Sequence, residues 1–179
     1  MKLVILDRDG VINFDSDQYI KSPAEWRPLP GSIEAIARLY QSGFRVAVAT
    51  NQSGIGRGLF DMATLNAIND KMMEMVFRQG GRIDALFFCP HTAAEDCNCR
   101  KPRTGMYEEI AARFHTDLKG VPAVGDALRD LQAAESVGAQ PILVLTGKGK
   151  LTQSQGGMPK KTLVFEDLAE ASRHLIGHA

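Results

Sequence analysis

The sequence of 179 residues has no long apolar segment and no excess of charge of either sign. No apolar run approaches the roughly 18–20 residues that a helix needs to span a bilayer. Lysine plus arginine and aspartate plus glutamate both number 21, which argues against a nucleic-acid-binding protein and against a polybasic membrane anchor. Asp7 and Arg8 interrupt the N-terminal apolar residues too early for a secretory signal. We therefore expect a soluble cytoplasmic protein, and a monomer, that binds neither nucleic acid nor membrane.

Cysteines are also few, and they are not scattered. Cys89, Cys97 and Cys99 lie within eleven residues, with His91 between them. An odd number of close cysteines in a chain without a secretory signal favours a metal site over disulfides. The four side chains offer the sulfur and nitrogen ligands that Zn²⁺ takes tetrahedrally in closed structural sites. The spacing therefore predicts a zinc site.

We interpret segment 89–101 as a loop that structural zinc holds in place. Four protein ligands leave no open position for a catalytic water. The loop runs directly into Arg100 and Lys101, so we expect the zinc to position this cationic pair. The alternative is a set of buried cysteines and a surface histidine without metal.

Short apolar runs alternate with helical periodicity along the whole chain. The runs predict strands at 3–6, 44–49, 83–88, 123–124, 142–145 and 163–165. The periodic segments predict helices at about 32–41, 62–79, 105–115, 128–137 and 167–176, whereas 10–30 and 148–161 are expected to be irregular. Strand–helix alternation with continuously apolar strands is typical of a parallel sheet buried on both faces. We predict one doubly wound, Rossmann-like α/β domain over residues 1–179.

Ligands of such sheets bind outside the carboxyl ends of the strands, and polar residues follow several predicted strands directly. Asp7 and Asp9 follow the first strand, and Asp126 follows the fourth. Two carboxylates this close repel each other unless a cation lies between them, and Mg²⁺ prefers such oxygen ligands. We predict a magnesium site to which Asp126 adds a third carboxylate. The alternative is that Asp7 and Asp9 merely begin a turn or cap a helix.

A hydroxyl and an ammonium complete this set of candidate catalytic groups. Thr50 follows the second strand, and Lys101 lies just past the cysteine cluster. Carboxylates, a hydroxyl, an ammonium and a metal site together match the needs of phosphoryl transfer, which depends on positioning and on neutralising oxygen charge.

Four segments resemble, in order, the motifs of haloacid dehalogenase-type phosphatases. They are Asp7-Arg8-Asp9-Gly10-Val11, Thr50-Asn51-Gln52, Arg100-Lys101-Pro102 and Gly125-Asp126. The run from Thr50 to Gly58 and the cysteine loop are similar, more narrowly, to the branch that removes the 7-phosphate of D-glycero-D-manno-heptose 1,7-bisphosphate. The resemblance covers essentially the whole chain. It implies the haloacid dehalogenase fold with a minimal cap, and the same zinc loop.

The resemblance also implies a mechanism. Asp7 attacks phosphorus and becomes an aspartyl phosphate, while Asp9 protonates the leaving sugar oxygen and later activates water. Mg²⁺ is held by an Asp7 oxygen, the Asp9 main-chain carbonyl and Asp126. Thr50 and Lys101 hold the phosphoryl oxygens.

Other residues are candidates for binding the sugar or its second phosphate. Arginine binds phosphate bidentately, although Arg57 and Arg100 are alternatively solvated surface residues. Segment 15–18 resembles the part of the family that contacts the sugar. Ala127 stands where many relatives carry lysine, a difference that bears on how the distal phosphate is held. The substrate-binding candidates are Asp15, Asp17, Gln18, Asn51, Gln52, Ser53, Arg57 and Arg100.

Two other functions are alternatives to the heptose bisphosphate phosphatase hypothesis. A histidinol-phosphate phosphatase shares the aspartate machinery and the zinc loop, but its second motif continues differently after Thr-Asn-Gln. A receiver domain of a signalling protein would use similar residues as a phosphorylated switch. Its acceptor aspartate normally ends the third strand, whereas Asp7 ends the first strand here.

Overall fold

A computed structural model describes all of residues 1–179 and contains one six-stranded parallel sheet. The strand order is β3-β2-β1-β4-β5-β6. This is the order of a doubly wound fold, in which the chain adds β2 and β3 on one side of β1 and then crosses back to add β4, β5 and β6 on the other side. The predicted fold class is therefore confirmed. The strands are β1 (Lys2–Leu6), β2 (Phe44–Asn51), β3 (Ala85–Cys89), β4 (Pro122–Gly125), β5 (Gln140–Val144) and β6 (Leu163–Phe165).

Six α-helices connect or follow the strands. They are α1 (Ser32–Gln41), α2 (Met62–Arg78), α3 (Gly105–Phe114), α4 (Leu128–Ser136), α5 (Gly149–Gln155) and α6 (Leu168–Gly177). Helix α2 begins where predicted because the side chain of Asp61 accepts a hydrogen bond from the Thr64 amide at 2.8 Å. Strand β3 begins two residues later than predicted. The Asp84 carboxylate accepts from the Val46 amide at 2.9 Å and so occupies the position of a strand partner.

The prediction that segment 148–161 is irregular was wrong for its first half, which forms α5. This helix buries only Gly149 and Thr152, so it has no apolar stripe for periodicity to reveal. Its place in the fold is fixed by a polar contact instead. The Thr152 hydroxyl donates to the Asp126 carbonyl at 2.7 Å.

Alternate residues of β1 face two separate apolar cores. Val4 and Leu6 pack on the side of α1, α2 and α6, whereas Leu3 and Ile5 pack on the side of α3 and α4. These four side chains are at most 3% exposed, and burying one such side chain contributes about 1.5–3 kcal/mol. The sheet therefore holds the carboxyl end of β1 rigidly at the centre of the molecule.

The connection between β1 and α1, residues 7–31, folds back on itself without forming a separate domain. Isolated bridges pair Asn13 with Asp9 and with Pro28. Trp26 is completely buried, and the ammonium of Lys71 donates to the Pro23 and Trp26 carbonyls at 2.6 and 2.8 Å. These contacts fix the segment that borders the carboxyl end of β1.

None of the helices is both long enough and apolar enough to cross a bilayer.

Candidate active site

The carboxyl ends of β1 and β4 bring Asp7 and Asp126 together. The two strands pair in parallel, with Leu6 opposite Val124, so the residues that follow them emerge at the same edge. Asp130, in the first turn of α4, joins them. Carboxylate oxygens of the three aspartates lie within 4.8 Å of one another, and all three residues are buried. We call Asp7, Asp126 and Asp130 the carboxylate cluster.

Two glycines allow the backbone to approach this cluster closely. A Cβ atom on Gly10 would lie 2.0 Å from Oδ2 of Asp126, and one on Gly147 would lie 2.3 Å from the same atom. Both glycines also have positive φ, of +82° and +54°, a region that L side chains rarely adopt. The space next to Asp126 is therefore available only because neither residue carries a side chain.

The carboxylate cluster is electrostatically strained without a cation. Burial, with the charges of Asp7 and Asp130, raises the pKa of Asp126 to about 8. Burial and Asp130 likewise raise the pKa of Asp7 to about 6, although Lys101 opposes this. Full ionisation of three such groups needs additional positive charge. A set of buried oxygen donors fits Mg²⁺, which prefers carboxylate ligands.

Lys101 supplies part of that positive charge. Its side chain is 1% exposed, and its Nζ lies 3.0 Å from Oδ1 of Asp7 and 2.8 Å from Oδ1 of Asp130. The ammonium also donates to the Ala49 carbonyl at 2.7 Å. Burial alone would lower the pKa of Lys101, but the two carboxylates outweigh burial and raise it. The ammonium is therefore held charged beside Asp7.

Asp9 lies outside the carboxylate cluster, in its own hydrogen-bond network. Arg8, which is fully buried, contacts its Oδ1 at 2.9 Å. Asn13 donates to Oδ1 at 2.9 Å, and Gln52 donates to Oδ2 at 3.0 Å. The same Gln52 amide donates to the Thr50 hydroxyl at 2.9 Å. This network aims the Asp9 carboxylate and links it to the end of β2.

A polar cavity of about 210 Å³ opens over Asp7, Asp9, Thr50 and Lys101. Six of the eight predicted substrate-binding residues also line it: Asp15, Asp17, Asn51, Gln52, Ser53 and Arg100.

The other two predicted substrate-binding residues do not line this cavity. Gln18 is exposed and lies along a neighbouring groove with Lys21 and Glu25. Arg57 is drawn to the ring of Tyr19, where its guanidinium carbon lies 5.9 Å from the ring centroid. Tyr19 itself lines the cavity, and contact of Gln18 and Arg57 with substrate stays a prediction.

Three thiols and an imidazole converge in segment 89–101. Sγ of Cys89 lies 2.9 Å from Sγ of Cys99, and Sγ of Cys97 lies 3.5 Å from both. Nδ1 of His91 lies 3.3 Å from Sγ of Cys99. Tetrahedral zinc ligands at about 2.0–2.3 Å from the ion are separated from one another by roughly 3–4 Å. The four groups fit a closed zinc site.

Cys97 is already disposed to bind a metal as thiolate. Burial acts against ionisation, but hydrogen bonds from the Arg100 backbone and from the other two cysteines lower the pKa of Cys97 to about 6. The thiolate is the form that coordinates zinc. Arg103 closes the outer side of the loop by donating to the Cys97 carbonyl at 2.7 Å.

The cysteine–histidine loop is tied to β2 by reciprocal hydrogen bonds. The Lys101 amide donates to Oδ1 of Asn51 at 3.0 Å, and Nδ2 of Asn51 donates to the Lys101 carbonyl at 3.2 Å. The backbone N–H of Gln52 donates to the Cys89 carbonyl at 2.7 Å. The Asn51 side chain thus holds both the N–H and the carbonyl of Lys101, as expected for a loop that delivers its ammonium to Asp7.

Sequence reasoning missed Asp130, Lys148 and Arg129. Asp130 had a usable signal, because it stands four residues after Asp126, on the same side of a predicted helix start. Its Oδ2 accepts from the Asp126 and Ala127 amides at 3.2 and 3.0 Å. The Lys148 amide donates to Oδ2 of Asp126 at 2.8 Å, and this depends on a turn that no sequence pattern marked.

The sequence of this chain is similar to those of known phosphatases. A family model described as HAD-hydrolase-like matches residues 98–171. The D-glycero-β-D-manno-heptose-1,7-bisphosphate 7-phosphatase of Bordetella bronchiseptica is 59% identical over 179 residues, covering 100% of both chains. The enzyme of that name from Pseudomonas putida is 54% identical, covering 98% of this chain and 100% of its own. This chain belongs to the D-glycero-β-D-manno-heptose-1,7-bisphosphate 7-phosphatase family.

Solved structures of the heptose bisphosphate phosphatase family agree with that assignment. A crystal structure of D,D-heptose 1,7-bisphosphate phosphatase from B. bronchiseptica, complexed with magnesium and phosphate, has a TM-score of 0.99 and 59% identity over 100% of both chains. The corresponding protein of Burkholderia thailandensis has a TM-score of 0.78 and 52% identity, with 98% of this chain and 99% of its own covered. The predicted family resemblance is confirmed.

Proposed function

We propose that this protein is a Mg²⁺-dependent phosphatase that removes the 7-phosphate of D-glycero-D-manno-heptose 1,7-bisphosphate. The observation that carries the proposal is the position of Lys101, which bridges Asp7 and Asp130 beside Asp126. A nucleophilic carboxylate next to a fixed ammonium and further carboxylate ligands suits phosphoryl transfer. The names of relatives at 52–59% identity support the choice of substrate.

In the first half-reaction, Asp7 acts as the nucleophile. A carboxylate oxygen of Asp7 bonds to phosphorus as the bond from phosphorus to the sugar oxygen breaks. Asp9 gives its proton to the departing oxygen, so that an alcohol leaves rather than an alkoxide. Lys101 and the Thr50 hydroxyl lie in the same cavity and stabilise charge on the phosphoryl oxygens. The product is an aspartyl phosphate on Asp7.

In the second half-reaction, Asp9 changes from acid to base. It takes a proton from a water that attacks phosphorus, and the bond between phosphorus and Asp7 breaks. Inorganic phosphate leaves, Asp7 is restored as a carboxylate and Asp9 is again protonated. Contacts from Arg8, Asn13 and Gln52 fix the Asp9 carboxylate, and under this proposal the same carboxylate serves both proton transfers.

Mg²⁺ would be held by Asp7, Asp126 and the Asp9 main-chain carbonyl, while the Asp130 carboxylate lies beside these ligands and contacts Lys101. When bound, the ion supplies positive charge to the phosphoryl oxygens and relieves the repulsion within the carboxylate cluster. Zn²⁺ would be held by Cys89, His91, Cys97 and Cys99, where its role is to fix the loop that carries Arg100 and Lys101.

The proposed setting follows from the proposed substrate. The partner is a small sugar bisphosphate, which fits a polar cavity with cations at its wall. We place the reaction in the cytoplasm, in the synthesis of heptose for surface glycans, and we propose that the protein acts as a monomer.

A phosphate-release screen tests the proposal directly. Purified protein is assayed with heptose 1,7-bisphosphate, other sugar bisphosphates, sugar monophosphates and histidinol phosphate, and its bound metals are measured in the same sample. We expect the highest kcat/KM for heptose 1,7-bisphosphate, a requirement for Mg²⁺ and one zinc per chain. A higher kcat/KM for histidinol phosphate would reverse the substrate assignment. Stoichiometric phosphorylation without release would indicate a receiver domain instead.

A further inference from the structure

Four cationic side chains line the cavity over Asp7, and one of them has no partner. Lys101 is paired with carboxylates of the cluster, and Lys148 lies 3.6 Å from carboxylates of the segment after β1. Arg100 donates to a backbone carbonyl at 3.4 Å. The side chain of Arg129 takes part in none of the ion pairs or hydrogen bonds of the structure, and its Nε is buried without any acceptor.

An unpartnered guanidinium in a partly enclosed cavity favours an anionic ligand. The group stays charged at all physiological pH values and carries five N–H donors in a fixed planar fork. Burying such donors without acceptors costs free energy, and a ligand with several oxygens recovers it. A phosphate matches the fork with two parallel hydrogen bonds.

Arg129 is also held on a rigid frame. It belongs to the first turn of α4, directly before Asp130. The Asp130 carboxylate accepts from two backbone amides at the start of that turn and contacts Lys101 at 2.8 Å. The contacts that build the carboxylate cluster therefore also fix the backbone of Arg129.

The negative charge of the reacting phosphate is already balanced by other groups. Thr50, Lys101 and the cation site of the carboxylate cluster account for the charge at the phosphorus that Asp7 attacks. A bisphosphate brings a second dianion into the same cavity, and this dianion needs its own positive charge. Ala127, two residues before Arg129, is a buried methyl group and supplies none.

We propose that Arg129 binds the phosphate that is not hydrolysed and thereby makes the site prefer a sugar bisphosphate over a monophosphate. The inference rests on the proposed function, because it presupposes a substrate with two phosphates. It assigns Arg129 to specificity rather than to bond cleavage.

The test compares two substrates that share the reacting phosphate. Values of kcat/KM are measured for heptose 1,7-bisphosphate and heptose 7-phosphate with wild type, Arg129→Met and Arg129→Lys. We expect Arg129→Met to lower kcat/KM for the bisphosphate by roughly 10- to 100-fold, mainly through KM, because a charge-assisted bidentate contact is lost. The value for the monophosphate should stay within about twofold. Arg129→Lys should fall between, since lysine keeps the charge but not the fork.

Arg113→Met is the matched control, because Arg113 is an exposed arginine near the end of α3. It should leave both substrates unchanged. Equal losses on both substrates with Arg129→Met would overturn the inference, as would no loss on either.

A binding measurement separates this inference from the proposed function. Heptose 1-phosphate lacks the reacting phosphate, and calorimetry should show that it binds wild type about tenfold more tightly than Arg129→Met. If wild type hydrolyses no heptose ester, the proposed function fails, while this measurement still decides for or against Arg129. Equal affinity in both proteins would contradict the assignment.

Discussion

The two candidate metal sites of this protein are built in opposite ways. The four groups of the cysteine–histidine loop come from eleven consecutive residues, Cys89 to Cys99. The carboxylate cluster joins Asp7 after β1, Asp126 after β4 and Asp130 in α4. The loop holds sulfur and nitrogen groups, of which Cys89 is buried and the other three are half-buried, whereas the cluster holds three buried carboxylates at the carboxyl ends of the central strands.

The two sites should therefore respond differently to the loss of a ligand residue or of the metal. The sheet fixes the carboxylate cluster, whether or not an ion is bound, because both faces of β1 are packed. Loss of a cluster residue should therefore affect chemistry more than folding. Beyond Cys89, the last residue of β3, the cysteine–histidine loop contains no helix or strand apart from a single short turn of helix at 93–95, so loss of its zinc should affect order and substrate binding more than chemistry.

The largest expected effect is that of Asp7→Asn, which removes the nucleophile. We expect kcat to fall by on the order of 10⁴-fold or more, as when a catalytic unit is broken. Stability should be retained or slightly raised, because a buried carboxylate with a raised pKa is replaced by a neutral group. Phosphate release and thermal unfolding measure the two effects. Near-normal turnover would contradict the assignment of Asp7.

Asp130→Asn tests the member of the carboxylate cluster that sequence reasoning missed. The amide can still accept from the Asp126 and Ala127 amides, but Lys101 loses one of its two carboxylate partners. We expect kcat to fall by roughly 10- to 100-fold, which is the usual effect of changing a residue that supports the direct metal ligands. The Mg²⁺ concentration that gives half-maximal activity should rise. Both are measured in a Mg²⁺ titration of activity.

Asp167→Asn is the matched control for Asp130→Asn. Asp167 is also an aspartate at a helix start, where it accepts from the Glu170 amide at 2.8 Å in α6. We expect unchanged activity and at most about 1 kcal/mol lower stability, as for a change of N-cap. Equal losses of activity in the two variants would mean that Asp130 acts only through its helix.

Cys97→Ser tests the cysteine–histidine loop. With one ligand gone, zinc content should fall and the loop that carries Arg100 and Lys101 should loosen. We expect KM to rise by about tenfold while kcat changes by less than about threefold, since weakened positioning reduces binding before chemistry. Metal analysis and steady-state kinetics provide the readouts. Full activity in a folded, zinc-free protein would remove the positioning role of zinc.

The smallest effect is a pH dependence that belongs to the carboxylate cluster. In the metal-free chain Asp126, with a pKa of about 8, holds a proton that the unfolded chain releases near pH 4. Because the folded state binds more protons, stability of the metal-free chain should fall as pH rises from about 4 to 8. Mg²⁺ displaces that proton, so its thermal stabilisation should be larger at pH 8 than at pH 5, by a few degrees. Thermal melts with and without Mg²⁺ measure this, and an equal shift at both pH values would contradict it.

The two candidate metal sites also differ in how the sequence reveals them. The cysteine–histidine loop was visible because its groups are close along the chain. Asp7 and Asp126 were visible because each directly follows an apolar run, and parallel strand ends share one edge of a sheet. Arg129 and Lys148 were not visible, because their places depend on how α4 and the turn after β5 lie over the cavity. Helix α5 was missed because a polar contact to Asp126, rather than an apolar face, holds it.

Under the proposed function Asp7, placed beside Lys101 and the carboxylate cluster, bonds transiently to phosphorus. Substrate labelled with ³²P in the 7-phosphate is mixed with enzyme and Mg²⁺, quenched in acid within one turnover and digested. We predict label on the peptide that contains Asp7, released by hydroxylamine as expected of an acyl phosphate, and absent in Asp7→Asn. Rapid phosphate release with no protein-bound label at any quench time, or with label on a different residue, would contradict the account.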